Sequence, residues 1–229
     1  MAAALTLYSN PFSQPCRAVR CFLALNHIDY ELHPIDFGKG DHRSPEFLAI
    51  NPQGLIPVIT HGDFTLSESG AILIYLAEAF HVENQWYPAD IHQRAQINSY
   101  LHWHHTNSRK HVYGYVFHKV TQPVFMGLPP IAPEKEAELK ANVDTFMAGI
   151  NQTLEAHHYI ARTSQASLAD LQCFCELAQL KLANYDFTPY PAVKRWFEEL
   201  ESNPQINEIH QPLFGFARKL NTPAEEATN

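Results

Sequence analysis

The apolar periodicity of this chain changes character once, near residue 81, and that change constrains the architecture more than any composition figure. Before it, short strand-like and helix-like runs alternate. Residues 5–8 read as a strand, and residues 15–26 set Val19, Phe22 and Leu23 on one helical face. Residues 30–35 look extended again, but Pro34 has no N–H for a ladder, which points to a sheet edge or a strand end. Residues 57–60 and 64–66 flank His61-Gly62-Asp63, a compact turn whose natural product is an antiparallel hairpin. Ile72, Tyr75, Leu76 and Ala79 then recur at helical spacing. The order is β-α-β-(irregular)-β-β-α.

After residues 82–88, which lack periodicity and read as a linker, every pattern is helical. Leu139, Val143, Phe146, Met147, Ile150 and Leu154 form one stripe, and Leu168, Leu171, Cys175, Ala178 and Leu182 form a second. Val193, Trp196, Phe197 and Leu200 form a third, while Pro123, Pro129, Pro130 and Pro133 interrupt the stretch between the first long helix and the next. The expected organisation is an α/β domain over residues 1–81, a linker over 82–88, an all-helical domain over 89–220 and a frayed polar tail over 221–229. A length of 229 residues, between one large domain and two small ones, accommodates it.

Charge and composition narrow the function. A net charge of −8 argues against a nucleic-acid surface. No apolar run approaches the roughly 18 residues of a membrane span, and the start lacks a signal-peptide pattern. A soluble, cytoplasmic protein is expected, with Cys16, Cys21, Cys173 and Cys175 as reduced thiols.

Two segments carry chemistry. In Ser9-Asn10-Pro11-Phe12-Ser13-Gln14-Pro15-Cys16-Arg17, Pro15 suits an opening helical turn, so Ser13 sits at the helix N-terminus. There it is either a simple N-cap or a hydroxyl aimed at a ligand anion, helped by the helix dipole. In the second segment, Pro57 after Ile56 is a candidate cis bond that would expose the Ile56 backbone to an extended ligand, and Glu68 and Ser69 open another helix. Two helix N-termini and one exposed backbone edge would make a small site for a peptide-like anion.

Ser-Gln-Pro-Cys-Arg-Ala-Val at 13–19, Asn51-Pro52 with Ile56-Pro57, and Gly62-Asp63-Phe64-Thr65-Leu66-Ser67-Glu68-Ser69 resemble the theta class of glutathione transferases. Trp86-Tyr87-Pro88, the run Tyr100-Leu101-His102-Trp103-His104-His105, and His118-Lys119-Val120 with Pro123-Val124-Phe125 extend the resemblance. It implies a thioredoxin-like N-terminal domain, an all-α C-terminal domain, a homodimer, and glutathione as co-substrate without a metal. Residue by residue, it makes Ser13 the activating hydroxyl and sets Gln14 beside it. His42, with Arg43 and Leu55, falls near the glycine end, Ile56 with Pro57 at the cysteinyl clamp, and Glu68 and Ser69 at the γ-glutamyl end. Arg109 matches an arginine of the first long helix that can face the active site. Many family members carry lysine where this chain has Leu55, so a charged contact to the glycine carboxylate is missing and weaker glutathione affinity is expected.

The electrophile would enter between the domains, against Tyr113 and Phe117 of the apolar run 112–128 and beside Phe12, with Phe214 or Phe216 of the last helix as further candidates. The resemblance implies small halides, epoxides and hydroperoxides, hence conjugation in detoxification with peroxidase activity beside it. Two other functions fit the same fold. Ser13-Gln14-Pro15-Cys16 resembles a Cys-x-x-Cys redox motif that has lost its first cysteine, and the fold also serves as a ligand carrier or assembly module. Three features are set aside. Ser167-Leu168-Ala169-Asp170 has capping-box spacing, Cys173 and Cys175 point apart on a helix, and His102, His104 and His105 have no carboxylate or cysteine nearby in sequence to complete a metal set.

Overall fold

A computed structural model describes residues 4–222. It opens with β1 (Leu5–Ser9), α1 (Gln14–Leu25) and β2 (Glu31–Pro34), followed by a 3₁₀ turn at Asp41–Arg43 and α2 (Pro45–Ile50). The hairpin β3 (Val58–His61) and β4 (Phe64–Ser67) leads into α3 (Ser69–Ala79). The four strands lie in the order β2-β1-β3-β4, with β1 parallel to β2 and antiparallel to β3, and β3 antiparallel to β4. Pro34 therefore ends an edge strand whose four residues are all exposed, as its missing N–H requires.

The segment expected to be irregular contains α2. Six residues are too few for a periodic stripe, yet Ser44 caps the helix by accepting a hydrogen bond from the Phe47 N–H at 3.2 Å. The hairpin turn is also tighter than expected. His61 pairs directly with Phe64, leaving Gly62 and Asp63 as the loop, with Gly62 at φ 60° where a side chain would be strained.

The second half holds α4 (Ile91–Thr106), two π-helical stretches at Arg109–Tyr113 and Phe117–Thr121 separated by α5 (Gly114–Val116), and α6 (Gln122–Phe125). It continues with α7 (Pro133–Ala156), α8 (Leu168–Leu177) running on as a 3₁₀ helix to Ala183, α9 (Pro191–Glu201) and α10 (Pro204–Asn221). The expected tail falls on α10, Thr222 and residues 223–229, and the last seven lie outside the described residues, as do Met1 to Ala3.

All ten residues of α8 are buried, because this helix packs against α1, α3 and α4 and joins the helical half to the sheet half. Its start is the capping box expected at Ser167 and Asp170. The Asp170 carboxylate accepts from the N–H groups of Ile160 and Ser167 and from Trp196 Nε1, each at 2.9 Å. Trp86 in the linker is buried edge-to-face against Phe22, and its carbonyl accepts from the Leu168 N–H at 3.1 Å. The link between the halves is thus anchored to both. Among the described residues no helix is long and apolar enough to cross a membrane.

Candidate functional site

Strand register brings the sequence-predicted residues to one end of the sheet. Tyr8 of β1 lies opposite Val58 of β3, and Val58 lies opposite Ser67 of β4. The turn to Ser13 after β1, the Ile56-Pro57 bond before β3 and Glu68-Ser69 after β4 consequently share that end. Ile56-Pro57 is cis, as expected. The 3₁₀ turn carrying His42 and Arg43 joins them through Gly54, whose φ of +64° and lack of a side chain admit the His42 carbonyl; a Cβ there would stand 2.9 Å from that oxygen. Leu55, next in the chain, is 58% exposed.

Ser13 occupies the N-cap of α1 with extended backbone, but its hydroxyl makes no capping bond. It stands where a cap stands, without making the cap's hydrogen bond to the backbone. One turn further, Cys16 is fully buried and burial pushes its thiol above the ordinary range, against the opposing effect of the Ser13 hydroxyl.

Behind Ser13 lies a buried polar network that the sequence reading missed, centred on Glu176 of α8. Its Oε2 lies 3.5 Å from Arg109 Nη1, with which it is charge-paired without an aligned hydrogen bond, and 3.6 Å from His104 Nε2. Gln14 Nε2 donates to Glu176 Oε1 at 3.5 Å. Burial pushes the Glu176 carboxyl up, and the guanidiniums of Arg109 and Arg17 oppose that. One turn back on α8, Gln172 Nε2 donates to Ser69 Oγ at 3.0 Å and also reaches His104 Nε2 at 3.2 Å. Gln14, Ser69 and Arg109, remote in sequence, are thus tied to one helix.

His104 is 1% exposed, and a carboxylate remote from it in sequence, that of Glu176, stands beside it. Burial, then His105 and Arg109, hold its pKa down at about 3, so the ring is neutral. Its neighbour His105 lies 3.8 Å from the exposed Glu68 carboxylate, and Glu68 itself sits at φ 71°. Arg17, 0% exposed, fixes the Ser13 turn from below by donating to the carbonyls of Pro11 and Cys175 at 3.0 Å and to Gln179 Oε1 at 2.8 Å. Gln172 and Glu176 could have been found as two polar residues four apart, on one face of an otherwise apolar run.

The apolar candidates divide into groups. Phe12, next to Ser13, packs against Phe216 at 5.7 Å and Phe125 at 6.2 Å, and these two stand 5.2 Å apart. Phe214 is buried against His210 and does not join them. Tyr113 and Phe117 pair at 5.5 Å, with the Arg109 guanidinium 4.8 Å over the Tyr113 ring. Val112, Tyr115, Val116 and Val120 are core. Tyr113 closes one π-helical stretch and Phe117 opens the other, a form of helix common at functional sites, and both side chains are only partly buried. A groove of about 430 Å³ opens elsewhere, between α4 and α7 against Trp103 and Phe146, and none of the predicted site residues lines it. Cys173 and Cys175 are free and buried, and among the described residues no three His, Cys, Asp or Glu side chains are grouped to hold a metal.

Comparison with known proteins agrees with this fold. Residues 3–78 match the family model "Glutathione S-transferase, N-terminal domain" and residues 116–204 match "Glutathione S-transferase, C-terminal domain". Human glutathione S-transferase theta-1 is 37% identical over 199 residues, covering 86% of this chain and 82% of the relative. Glutathione S-transferase T2 of Arabidopsis thaliana is 37% identical over 98% of this chain, which spans only 39% of that longer relative. Among solved structures, apo human glutathione-S-transferase T1-1 superposes with a TM-score of 0.88 at 34% identity, covering 96% of this chain and 92% of the other. Human glutathione transferase theta-2, solved with glutathione and an unknown ligand, gives 0.87 at 32% identity, covering 98% and 92%.

Proposed function

Since this chain belongs to the glutathione S-transferase family, beside its theta-class members, we propose that it transfers the glutathione thiolate to small electrophiles, with Ser13 activating the sulfur. The observation that carries the proposal is the Ser13 hydroxyl, set at the N-terminus of α1 and making no capping hydrogen bond to the backbone of that helix. A free thiol has a pKa near 8.5, and lowering it by about two units requires about 2.7 kcal/mol in favour of the thiolate. A hydroxyl hydrogen bond to a charged sulfur contributes about 1.5–3 kcal/mol, and a helix N-terminus up to about 2. Together they suffice without a general base, since the ionised sulfur is already the nucleophile.

Ser69 and Glu68 are assigned to the γ-glutamyl end, the Ile56 backbone with Pro57 to the cysteinyl unit, His42, Arg43 and Leu55 to the glycine end, and Gln14 to the space beside Ser13. Arg109, held by Glu176 and lying over Tyr113, is the cation for the leaving group or for a hydroperoxide oxygen. Phe12, Tyr113 and Phe117 are assigned to the electrophile wall. The proposal extends to a cytoplasmic homodimer with roles in detoxification, a glutathione-binding domain over 1–81 and a helical domain over 89–220. Burial of Cys16 weighs against thiol–disulfide exchange, which needs an accessible thiolate.

The test is loss of free glutathione thiol in the presence of a small alkyl halide, an epoxide or an organic hydroperoxide. Protein-dependent loss with at least one of them, reduced at least tenfold in Ser13→Ala, is the expected result. Glutathione binding with no turnover of any of the three would favour the carrier reading.

A further inference from the structure

We infer that Gln172 is a positioning residue for the γ-glutamyl end of the ligand, holding the Ser69 hydroxyl so that its proton is left for an incoming carboxylate. The inference rests on the assignment of Ser69 given above. A side-chain amide nitrogen has two protons, and both from Gln172 are directed, one to Ser69 Oγ at 3.0 Å and one to His104 Nε2 at 3.2 Å. His104 can receive its share because burial keeps the ring neutral, which leaves one nitrogen bare. A serine hydroxyl has one proton and two acceptor positions, and Gln172 fills one of the acceptors. The remaining proton finds no acceptor among the described side chains, while Ser69 stands in the first turn of α3 at the ligand end of the sheet.

The arrangement has a cost that packing alone does not explain. Gln172 is 3% exposed, and its Oε1 is buried without a hydrogen-bond partner, as is His104 Nδ1. An apolar side chain at this position of α8 would avoid this, as its neighbours Leu171 and Cys173 do. A polar relay spanning 103 residues of sequence, from α8 to the start of α3, is better accounted for by what it does to Ser69.

The test uses the full-length protein and calorimetry with two ligands: glutathione, and its analogue lacking the α-carboxylate of the glutamyl residue. Gln172→Met keeps the side-chain length and removes both donors. It should raise the dissociation constant for glutathione roughly tenfold and leave that for the analogue unchanged. Ser69→Ala combined with Gln172→Met should bind glutathione no more weakly than Ser69→Ala alone. Equal glutathione affinity in the wild type and Gln172→Met, or an equal loss for both ligands, would overturn the inference. If Gln172→Met does not fold, His104→Leu removes the amide's second anchor and should give the same ligand-selective loss at about threefold; no selectivity there also overturns it. Failure of the unsubstituted protein to bind glutathione would overturn the reading of the site itself, a result visible before any substitution is made.

Discussion

Arg109 Nη1 lies 3.5 Å from Glu176 Oε2, pairing a guanidinium that is one-third exposed with a carboxylate that is 1% exposed. The second guanidinium acting on that carboxylate, Arg17, is wholly buried. Removing Glu176 therefore takes the paired carboxylate from Arg109 and a nearby countercharge from buried Arg17, a change that costs about 3 kcal/mol. Glu176→Leu should lose that much stability in urea unfolding, and wild-type stability would show that the pair has no net structural weight.

Acid should weaken the fold through His104. Its folded pKa, about 3, lies below the ordinary value of 6.5, so the unfolded chain binds one more proton between those limits. The stability that neutral His104 contributes is complete above pH 6.5 and is lost as pH falls towards 3. Between pH 7 and 5 the expected loss from this group is about 2 kcal/mol. Denaturant unfolding at both pH values should show a dependence in the wild type that His104→Gln reduces by about that amount. Identical dependences would contradict the burial argument.

Leu55 stands exposed at the glycine end of the proposed site, where a lysine would add a solvent-screened charge contact. Leu55→Lys should tighten glutathione binding about two- to fivefold, the range of a surface ion pair of about 0.5–1 kcal/mol. Calorimetry at low and high salt would check it, since the gain should shrink as salt rises. A wild-type constant already in the low micromolar range would contradict the weaker affinity expected from Leu55.

Much of this was legible from spacing alone. The β1-turn-α1 unit, the β3-β4 hairpin, the edge position of β2 and the stripe on α7 follow from periodicity and from where proline can stand. The capping box at Ser167 and Asp170 was legible too, because capping is local chemistry. What stayed hidden depends on long-range packing. Gln172 and Glu176 look like tolerated polar residues on a buried helix until α8 is seen against α1, α3 and α4. His104 reads like its neighbours His102 and His105 until burial separates it from them. Phe214 and Phe216 are two residues apart on α10, and only the fold decides that Phe216 meets Phe12 while Phe214 turns to His210.

The central claim concerns one hydroxyl and one sulfur, and the ultraviolet thiolate difference spectrum of bound glutathione tests it most directly. Titrated across pH, the wild type should show the thiolate band with an apparent pKa about two units below 8.5, and Ser13→Ala should return it upward by about one to two units. A band with the same apparent pKa in both proteins would contradict the assignment of Ser13 as the activating group.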